Sequence, residues 1–577
     1  MCGIIGYTGK KNITDELVAG LEKLEYRGYD SAGIAYCERG KLVTVKAVGR
    51  ISELKKLTDG LRPDSSCGIG HTRWATHGKP TLANCHPHLS YGGKFAIVHN
   101  GIIENCRQLR LLCESRGISP ISDTDSELIA HLLEMYFEGD LRKAADKVAG
   151  MLEGSFAVGI LCSCRPNEIY AFASRSPLAI GEGRNFCALA SDGNALSGAE
   201  TLVFLKDGES ALLRPSGAEY YRKGKRINPQ SAPFSAASAL SGKDGYAHYM
   251  LKETYEQPEA AARTIAALSG IKLRGALSFI GCGSSYHAGL SMLPLACHAC
   301  SRPAQAQLAG EFLCSERVKS RGTTAVLLSQ SGETADTVAA ALEAERRACR
   351  TFAIVNVASS TLTRVCGAHA VTRAGPEIAV ATTKGFTSQV VAVAAMLARG
   401  TLAESTERLP FIMEKALEAG VSHEAEEASR LLAISPNAFF IGRKADYGVA
   451  LEGALKLKEI TYIPALGLSA GELKHGSISL IGEGTPVVVV HTDPRLREKT
   501  LLTVASVRAR GGFVIAVTDN RDVCAACDLA VRIPSSDPFL SPAVSVIPLQ
   551  LIAYRAAVLL GRDVDKPRNL AKSVTVE

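Results

Sequence analysis

Leu277-Ser278-Phe279-Ile280-Gly281-Cys282-Gly283-Ser284-Ser285-Tyr286 is a short apolar run that ends in two glycines and two serines. An apolar strand running into a Gly/Ser turn that opens a helix marks a βαβ unit, and its turn is a potential anion site. The same pattern returns downstream. Phe279 and Phe440, Val326 and Val487, and Ile354 and Ile515 are each 161 positions apart, and Phe279-Ile280-Gly281 is matched by Phe440-Ile441-Gly442. Three apolar runs keeping one offset, with Ala-rich helical stretches between them, predict a duplicated α/β domain built on parallel sheets.

Outward from this repeat, 231–244 is small and polar-leaning and divides the chain. A linker is expected over 231–250. The first repeat is expected at 251–415, the second at 416–562, and a C-terminal tail at 563–577. Residues 1–230 alternate strands and helices between Gly-bounded turns. With 577 residues, 21% charged and 46% hydrophobic, the chain has the make-up of a soluble protein of several domains. A net charge of +7 is small for this length. Its densest basic stretch, Arg222-Lys223-Gly224-Lys225-Arg226, suits a solvated hairpin better than a nucleic-acid patch. No signal peptide is seen, and no apolar run is expected to reach the length of a membrane span. Seventeen scattered cysteines point to reduced thiols in the cytoplasm. The pairs Cys297/Cys300 and Cys524/Cys527 lack partners at zinc-finger spacing, so no metal is expected.

The chain opens Met1-Cys2-Gly3. If Met1 is trimmed, Cys2 carries a thiol beside its own α-amine, a base that titrates near pH 8 and can accept the thiol proton. The bland alternative is one more buried cysteine. Other motifs complement a nucleophile. His71-Thr72-Arg73-Trp74-Ala75-Thr76-His77-Gly78 holds an arginine able to clamp a carboxylate and the chain's one tryptophan, a candidate for closing over a site. Asn100-Gly101 follows an apolar run and suits an oxyanion hole, although alone it reads more simply as an Asn-Gly turn. Asp125 precedes an apolar helix. It is either a cap or a carboxylate for a substrate ammonium.

In the repeat, Ser329-Gln330-Ser331-Gly332-Glu333-Thr334 makes a second hydroxyl-rich turn. Two such turns from one sheet suit a phosphate, against simple helix capping for either alone. The Lys of a Walker loop is missing, so a nucleoside triphosphate is not implied. Glu452, Lys456 and Glu459 share a helix face; a surface Glu–Lys pair is the plain alternative. Gly471-Glu472-Leu473-Lys474-His475 adds further acid–base groups.

Cys2, Arg27-Gly28-Tyr29-Asp30, the 71–78 motif, Asn100-Gly101 and Asp125, in that order, resemble the N-terminal-nucleophile glutamine amidotransferase domain. The downstream motifs and the tail Pro567-Arg568-Asn569-Leu570-Ala571-Lys572-Ser573-Val574 resemble the paired sugar isomerase domains of the isomerising glutamine–fructose-6-phosphate aminotransferase family. The resemblance spans the whole chain. It implies an αββα glutaminase followed by two three-layer α/β/α domains with parallel sheets. Cys2 would attack the glutamine amide, with Asn100 and Gly101 as the oxyanion hole. Arg73 and Asp125 would grip glutamine, Thr76 and His77 line its pocket, and Trp74 gate ammonia. Ser284, Ser285, Ser329, Gln330, Ser331, Thr334, Val380 and Ala571 would bind the sugar phosphate. Lys572 would form an imine with the ketose, Glu459 move the proton between C1 and C2, His475 help open the ring, and Lys456 assist. Apolar Leu570, Val574 and Val576 suggest a docked tail that desolvates Lys572 and favours its neutral amine. The implied partners are glutamine, fructose 6-phosphate and a second copy of the chain in a homodimer; no cofactor is implied. Thr382-Thr383-Lys384 and Ser284 depart slightly from the family pattern but keep their hydroxyls. Other Cys-initiated amidotransferases, of the phosphoribosyl pyrophosphate or asparagine type, are disfavoured by the missing phosphoribosyl and ATP signatures. A sugar-phosphate sensor would not need Glu459, His475 and Lys572.

Overall fold

Runs of Ile, Val and Ala broken by glycine build two antiparallel sheets in the N-terminal part of the chain. The computed structural model describes residues 2–25, 28–74, 78–233, 242–299, 303–316 and 318–574. It divides into two compact units, 1–240 and 241–572. In the first unit, an eight-stranded sheet centres on Gly3–Gly9 between Phe186–Ala190 and Cys67–Arg73. A seven-stranded sheet centres on Arg165–Ser174, Gly154–Cys162 and Phe95–Ile103. Their facing sides bury Ile4, Ile69, Val98 and Leu189 in a core between the sheets. Helices Ile13–Leu24 and Ile51–Thr58 pack Leu17, Leu21 and Leu54 on the outer face of one sheet. Helices Cys106–Ser115, Ser126–Met135 and Leu141–Ala149 cover the other. Each sheet is thus apolar on both faces, which fixes four αββα layers. The basic stretch forms a tight exposed hairpin, with Arg222 opposite Lys225.

In the second unit the duplication is complete. The first sheet runs Ala304–Leu308, Ala276–Gly281, Thr323–Ser329, Arg350–Val355, Ala368–Val371; the second runs Ala465–Ser469, Ala438–Gly442, Pro486–His491, Phe513–Thr518, Leu529–Arg532. All neighbouring strands are parallel. The offset of 161 also carries Ala304 to Ala465 and Ala368 to Leu529, two pairs the sequence pattern did not single out. One apolar core, from Met250 to Val564, runs through both halves. The position 415/416, chosen as a boundary, lies inside helix Leu409–Gly420, so no linker separates the repeats there.

The expectation that no apolar run reaches span length needs correcting. Helix Pro542–Leu559 has 18 residues and a mean hydropathy of 1.5. It is 83% buried and packs against helices Ala445–Thr461, Leu409–Gly420 and His423–Ile434. A core helix surrounded on all sides is apolar all round for that reason.

Candidate active sites

Cys2 leads into the central strand Gly3–Gly9, whose Gly3 N–H is held by Thr72 Oγ1 at 3.2 Å. Its half-buried Sγ accepts the Trp74 N–H at 3.2 Å. Burial pushes the Cys2 thiol up; the amino-terminal charge, the Trp74 N–H and the Arg73 guanidinium pull it back down. Asn100 donates from Nδ2 to the Cys2 carbonyl at 2.9 Å. Asn100-Gly101 is not a turn. Both residues lie within strand Phe95–Ile103, paired with Ala157 and Phe156. Gly101 has φ +130°, and a Cβ there would stand 1.9 Å from the Ser155 carbonyl oxygen, so this place in the sheet requires glycine.

Asp125 precedes helix Ser126–Met135 but does not cap it with its side chain. Its Oδ2 accepts the Ile103 N–H at 2.8 Å, which ties it to the strand carrying Asn100. Arg73 is buried at the end of strand Cys67–Arg73, and its guanidinium donates to the Gly78 and Lys79 carbonyls at 3.2 and 3.4 Å. Trp74 is half-buried and meets Tyr29 edge to face at 5.6 Å, so it does not anchor the core. Thr76, His77 and Arg27 lie outside the described residues. Sequence reasoning passed over four buried histidines behind Asn100: His71, His86, His88 and His99. Their spacing around Cys85-His86-Pro87-His88 was the available signal.

In the second unit the serine turns do more than cap. Neither helix Ser284–Ser291 nor helix Ala335–Arg346 receives a side-chain cap. Ser284 Oγ donates to Glu452 at 2.8 Å, and Ser285 Oγ accepts from Gln389 at 3.0 Å. Ser329 Oγ takes the Gly332 N–H at 3.0 Å and meets Thr334 Oγ1 at 3.1 Å, while Ser331 Oγ takes the Glu333 N–H at 3.2 Å. The Gln330 carbonyl accepts the Asn356 N–H at 2.9 Å. These bonds shape two hydroxyl-lined loops at the carboxyl ends of neighbouring strands, the usual ligand position in an open parallel sheet.

The Glu–Lys face is no surface pair. Lys456 and Glu452 are buried, 3.5 Å apart, and Lys456 lies 2.5 Å from Glu459, the one member of the trio with appreciable exposure, at 20%. Burial pushes the Lys456 ammonium down, but Glu459 and Glu452 outweigh it and raise it above its ordinary value. Glu452 also takes a bond from His287 Nδ1 at 2.8 Å.

The tail lysine is docked, though not through the apolar residues expected to hold it: Val574 is exposed, and Val576 lies outside the described residues. Lys572 Nζ donates to Glu377 Oε2 at 2.6 Å and to the Ala379 carbonyl at 2.8 Å, with its side chain 5% exposed. Val380 N–H bonds the Asp565 carbonyl at 3.0 Å, and Ala571 is half-buried. The apolar surroundings expected around Lys572 are replaced by a carboxylate. Burial pushes Glu377 up, yet Lys572, Thr382 and the Gly385 N–H hold it at about 2. The ammonium is therefore ion-paired to Glu377. Glu377 was missed. It is the single charge in Gly375-Pro376-Glu377-Ile378-Ala379-Val380, and that isolation was its signal. Glu377 also acts electrostatically on Lys456, which joins the two clusters. His475 stands apart: it is exposed, just after the short helix Glu472–Lys474, and makes none of these contacts.

Residues 72–198 match the glutamine amidotransferase domain family, and 273–399 and 431–560 each match the SIS domain family. A protein of Symbiobacterium thermophilum named glutamine–fructose-6-phosphate aminotransferase [isomerizing] is 41% identical over 611 residues, covering both chains completely. The chain belongs to the isomerising glutamine–fructose-6-phosphate aminotransferase family. A Thermus thermophilus protein of the same name is 42% identical, again over both full lengths. The solved C-terminal domain of the Francisella tularensis glucosamine-fructose-6-phosphate aminotransferase is 34% identical, with a TM-score of 0.52; it aligns over its whole length with 56% of this chain.

Proposed function

We propose that this enzyme converts fructose 6-phosphate and glutamine into glucosamine 6-phosphate and glutamate. Supporting this reading most directly is the docked tail lysine: Lys572 is held against Glu377, whose carboxylate borders Gly385 together with Gln330 of one hydroxyl-lined loop and acts electrostatically on Lys456 of the buried trio. A solvated tail would have no use for such a setting.

With Met1 removed, Cys2 attacks the glutamine amide carbon and its α-amine takes the thiol proton. Asn100 Nδ2 and the Gly101 N–H stabilise the oxyanion. The intermediate collapses to a thioester and ammonia, and water then releases glutamate. Arg73 holds the substrate carboxylate and Asp125 its ammonium, with Thr76 and His77 lining the pocket. Ammonia passes internally to the sugar, because in open water it protonates and loses its nucleophilic pair. Trp74 gates that step.

In the second unit Ser284, Ser285, Ser329, Gln330, Ser331 and Thr334 receive the sugar phosphate, with Val380 and Ala571 alongside. Lys572, once it has given up its proton, adds to the ketose carbonyl, forming an imine with loss of water. Ammonia displaces the lysine. Glu459, the exposed end of its trio, then carries the proton between C1 and C2. Lys456 holds Glu459 in place, and His475 assists ring opening. A homodimer is part of the proposal.

Incubating the protein with glutamine and fructose 6-phosphate should yield amino sugar and glutamate in equal amounts. Cys2→Ala should abolish that synthesis while leaving sugar isomerisation intact. Glutamine hydrolysis without any amino sugar, at saturating fructose 6-phosphate, would reject the function.

A further inference from the structure

Behind the proposed oxyanion donor stands an imidazole that takes no part in the mechanism above. His71, on strand Cys67–Arg73, is 1% exposed. Its Nε2 lies 3.0 Å from the His99 carbonyl and 3.1 Å from Asn100 Oδ1. A carbonyl oxygen only accepts, so Nε2 must carry the hydrogen. His71 Nδ1 is buried with no hydrogen-bond partner. Burial drives the imidazole down to about 3, against the pull of its two acceptors, so it is neutral at every working pH. One tautomer satisfies these facts: Nε2–H, with a bare Nδ1. The ring is clamped flat against His86, centroids 4.0 Å apart at 17°.

The consequence falls on Asn100. Its two amide atoms look alike in shape but differ in what they can do. The Nε2–H of His71 is shared between the His99 carbonyl and Asn100, and beside a donor the Asn100 atom must be the acceptor Oδ1. Nδ2 then faces the other way, where it donates one hydrogen to the Cys2 carbonyl at 2.9 Å. A flipped amide would set N–H against N–H at His71 and oxygen against oxygen at Cys2, losing both bonds of the Asn100 side chain while the His71 Nε2–H kept only the His99 carbonyl. We propose that His71 is a positioning residue that locks the Asn100 amide so that Nδ2, and not Oδ1, faces the Cys2 side. Its action is indirect: His71 touches Asn100, not the substrate. This inference rests on the reading of Asn100 as the oxyanion donor.

The test is a double-mutant cycle in glutamine hydrolysis by the full chain. Removing one oxyanion donor costs roughly 10²–10³ in kcat, so Asn100→Ala should fall in that range. His71→Leu, which offers no hydrogen, should lose about 10² in kcat while KM for glutamine shifts less than about twofold. His71→Gln, whose side-chain amide extends a donor to the same place, should recover at least about tenfold of that loss. In the Asn100→Ala background, His71→Leu should cost nothing further. If leucine loosens the domain, Gln against Asn at position 71 repeats the comparison, since asparagine is too short to reach Asn100. Additive losses in the cycle, or a His71→Leu enzyme with unchanged kcat beside a crippled Asn100→Ala, would overturn the inference. Unchanged kcat in Asn100→Ala would instead remove the oxyanion reading, and the inference with it.

Discussion

Replacing Gly101 by alanine tests the first site with a single methyl group. The added Cβ would lie 1.9 Å from the Ser155 carbonyl oxygen, 2.7 Å from its carbon and 2.9 Å from Phe156 Cα. All three are backbone atoms of the neighbouring strand Gly154–Cys162, so no rotamer change relieves them. Real Cβ contacts do not come under 3.0 Å, so the strands must part by about 1.1 Å, the difference between 3.0 and 1.9. A non-glycine residue at φ +130° adds a strain of about 1–3 kcal/mol. With weakened ladder bonds at about 1 kcal/mol each, the first unit should lose roughly 3–5 kcal/mol. Function should suffer separately. Asn100 adjoins the displaced residue, and a shift of about 1 Å in a catalytic group costs on the order of 10² in rate. We expect glutamine hydrolysis to fall by that factor or more. Urea unfolding followed by Trp74, the single tryptophan and one that reports on the first unit, should show an earlier transition. A Gly101→Ala enzyme with wild-type kcat and an unmoved Trp74 transition would refute both the packing argument and the placement of the oxyanion site.

Glu377→Gln should cut borohydride trapping of Lys572 with fructose 6-phosphate at least about tenfold, because the carboxylate that holds the lysine in place is gone; undiminished trapping, read by mass spectrometry, rejects that role. Lys456→Met strips the cation from buried Glu452 and should cost roughly 3–5 kcal/mol near neutral pH. In the wild type, burial raises Glu452, but Lys456, His287 and Ser284 together outweigh it and hold it below its ordinary value, so its contribution is present above the unfolded carboxyl value and fades in acid. Without Lys456 only His287 and Ser284 are left to oppose burial, so the deficit of the variant against the wild type should shrink as pH falls; a pH-independent loss in urea melts would count against this. Burial raises Glu253 from 4.5 to about 8, with the Glu377 charge adding to it. The folded state therefore binds more protons than the unfolded chain between those values, and stability should decline as pH rises from 4.5 through 8. The upper limit is about 5 kcal/mol. Glu253→Gln should flatten that slope between pH 5 and 8, and parallel slopes in the two proteins would show that Glu253 is not its source.

Much of this protein was legible in residue order. Strands at a constant offset of 161 announce the duplication, because equal folds need their apolar runs at equal spacing. The Gly/Ser turns at strand ends could be placed on their elements without coordinates. Local patterns failed where a residue's meaning depends on what lies across from it. Asn100-Gly101 has the composition of a turn, yet it sits mid-strand because Phe156 and Ala157 pair with it. Glu452 and Lys456 have the spacing of a surface pair, but helix Ser284–Ser291 of the first repeat packs against their helix, and its Ser284 and His287 bond Glu452. Lys572 was expected to meet an apolar wall, and a carboxylate 195 positions away meets it instead. His71 stands beside Asn100 only because two sheets stack face to face. Periodicity and turn chemistry act between near neighbours in sequence and can be read from it. Partners of buried charges and the tautomer of a buried imidazole are settled by groups brought from far along the chain, and the tertiary structure alone decides those.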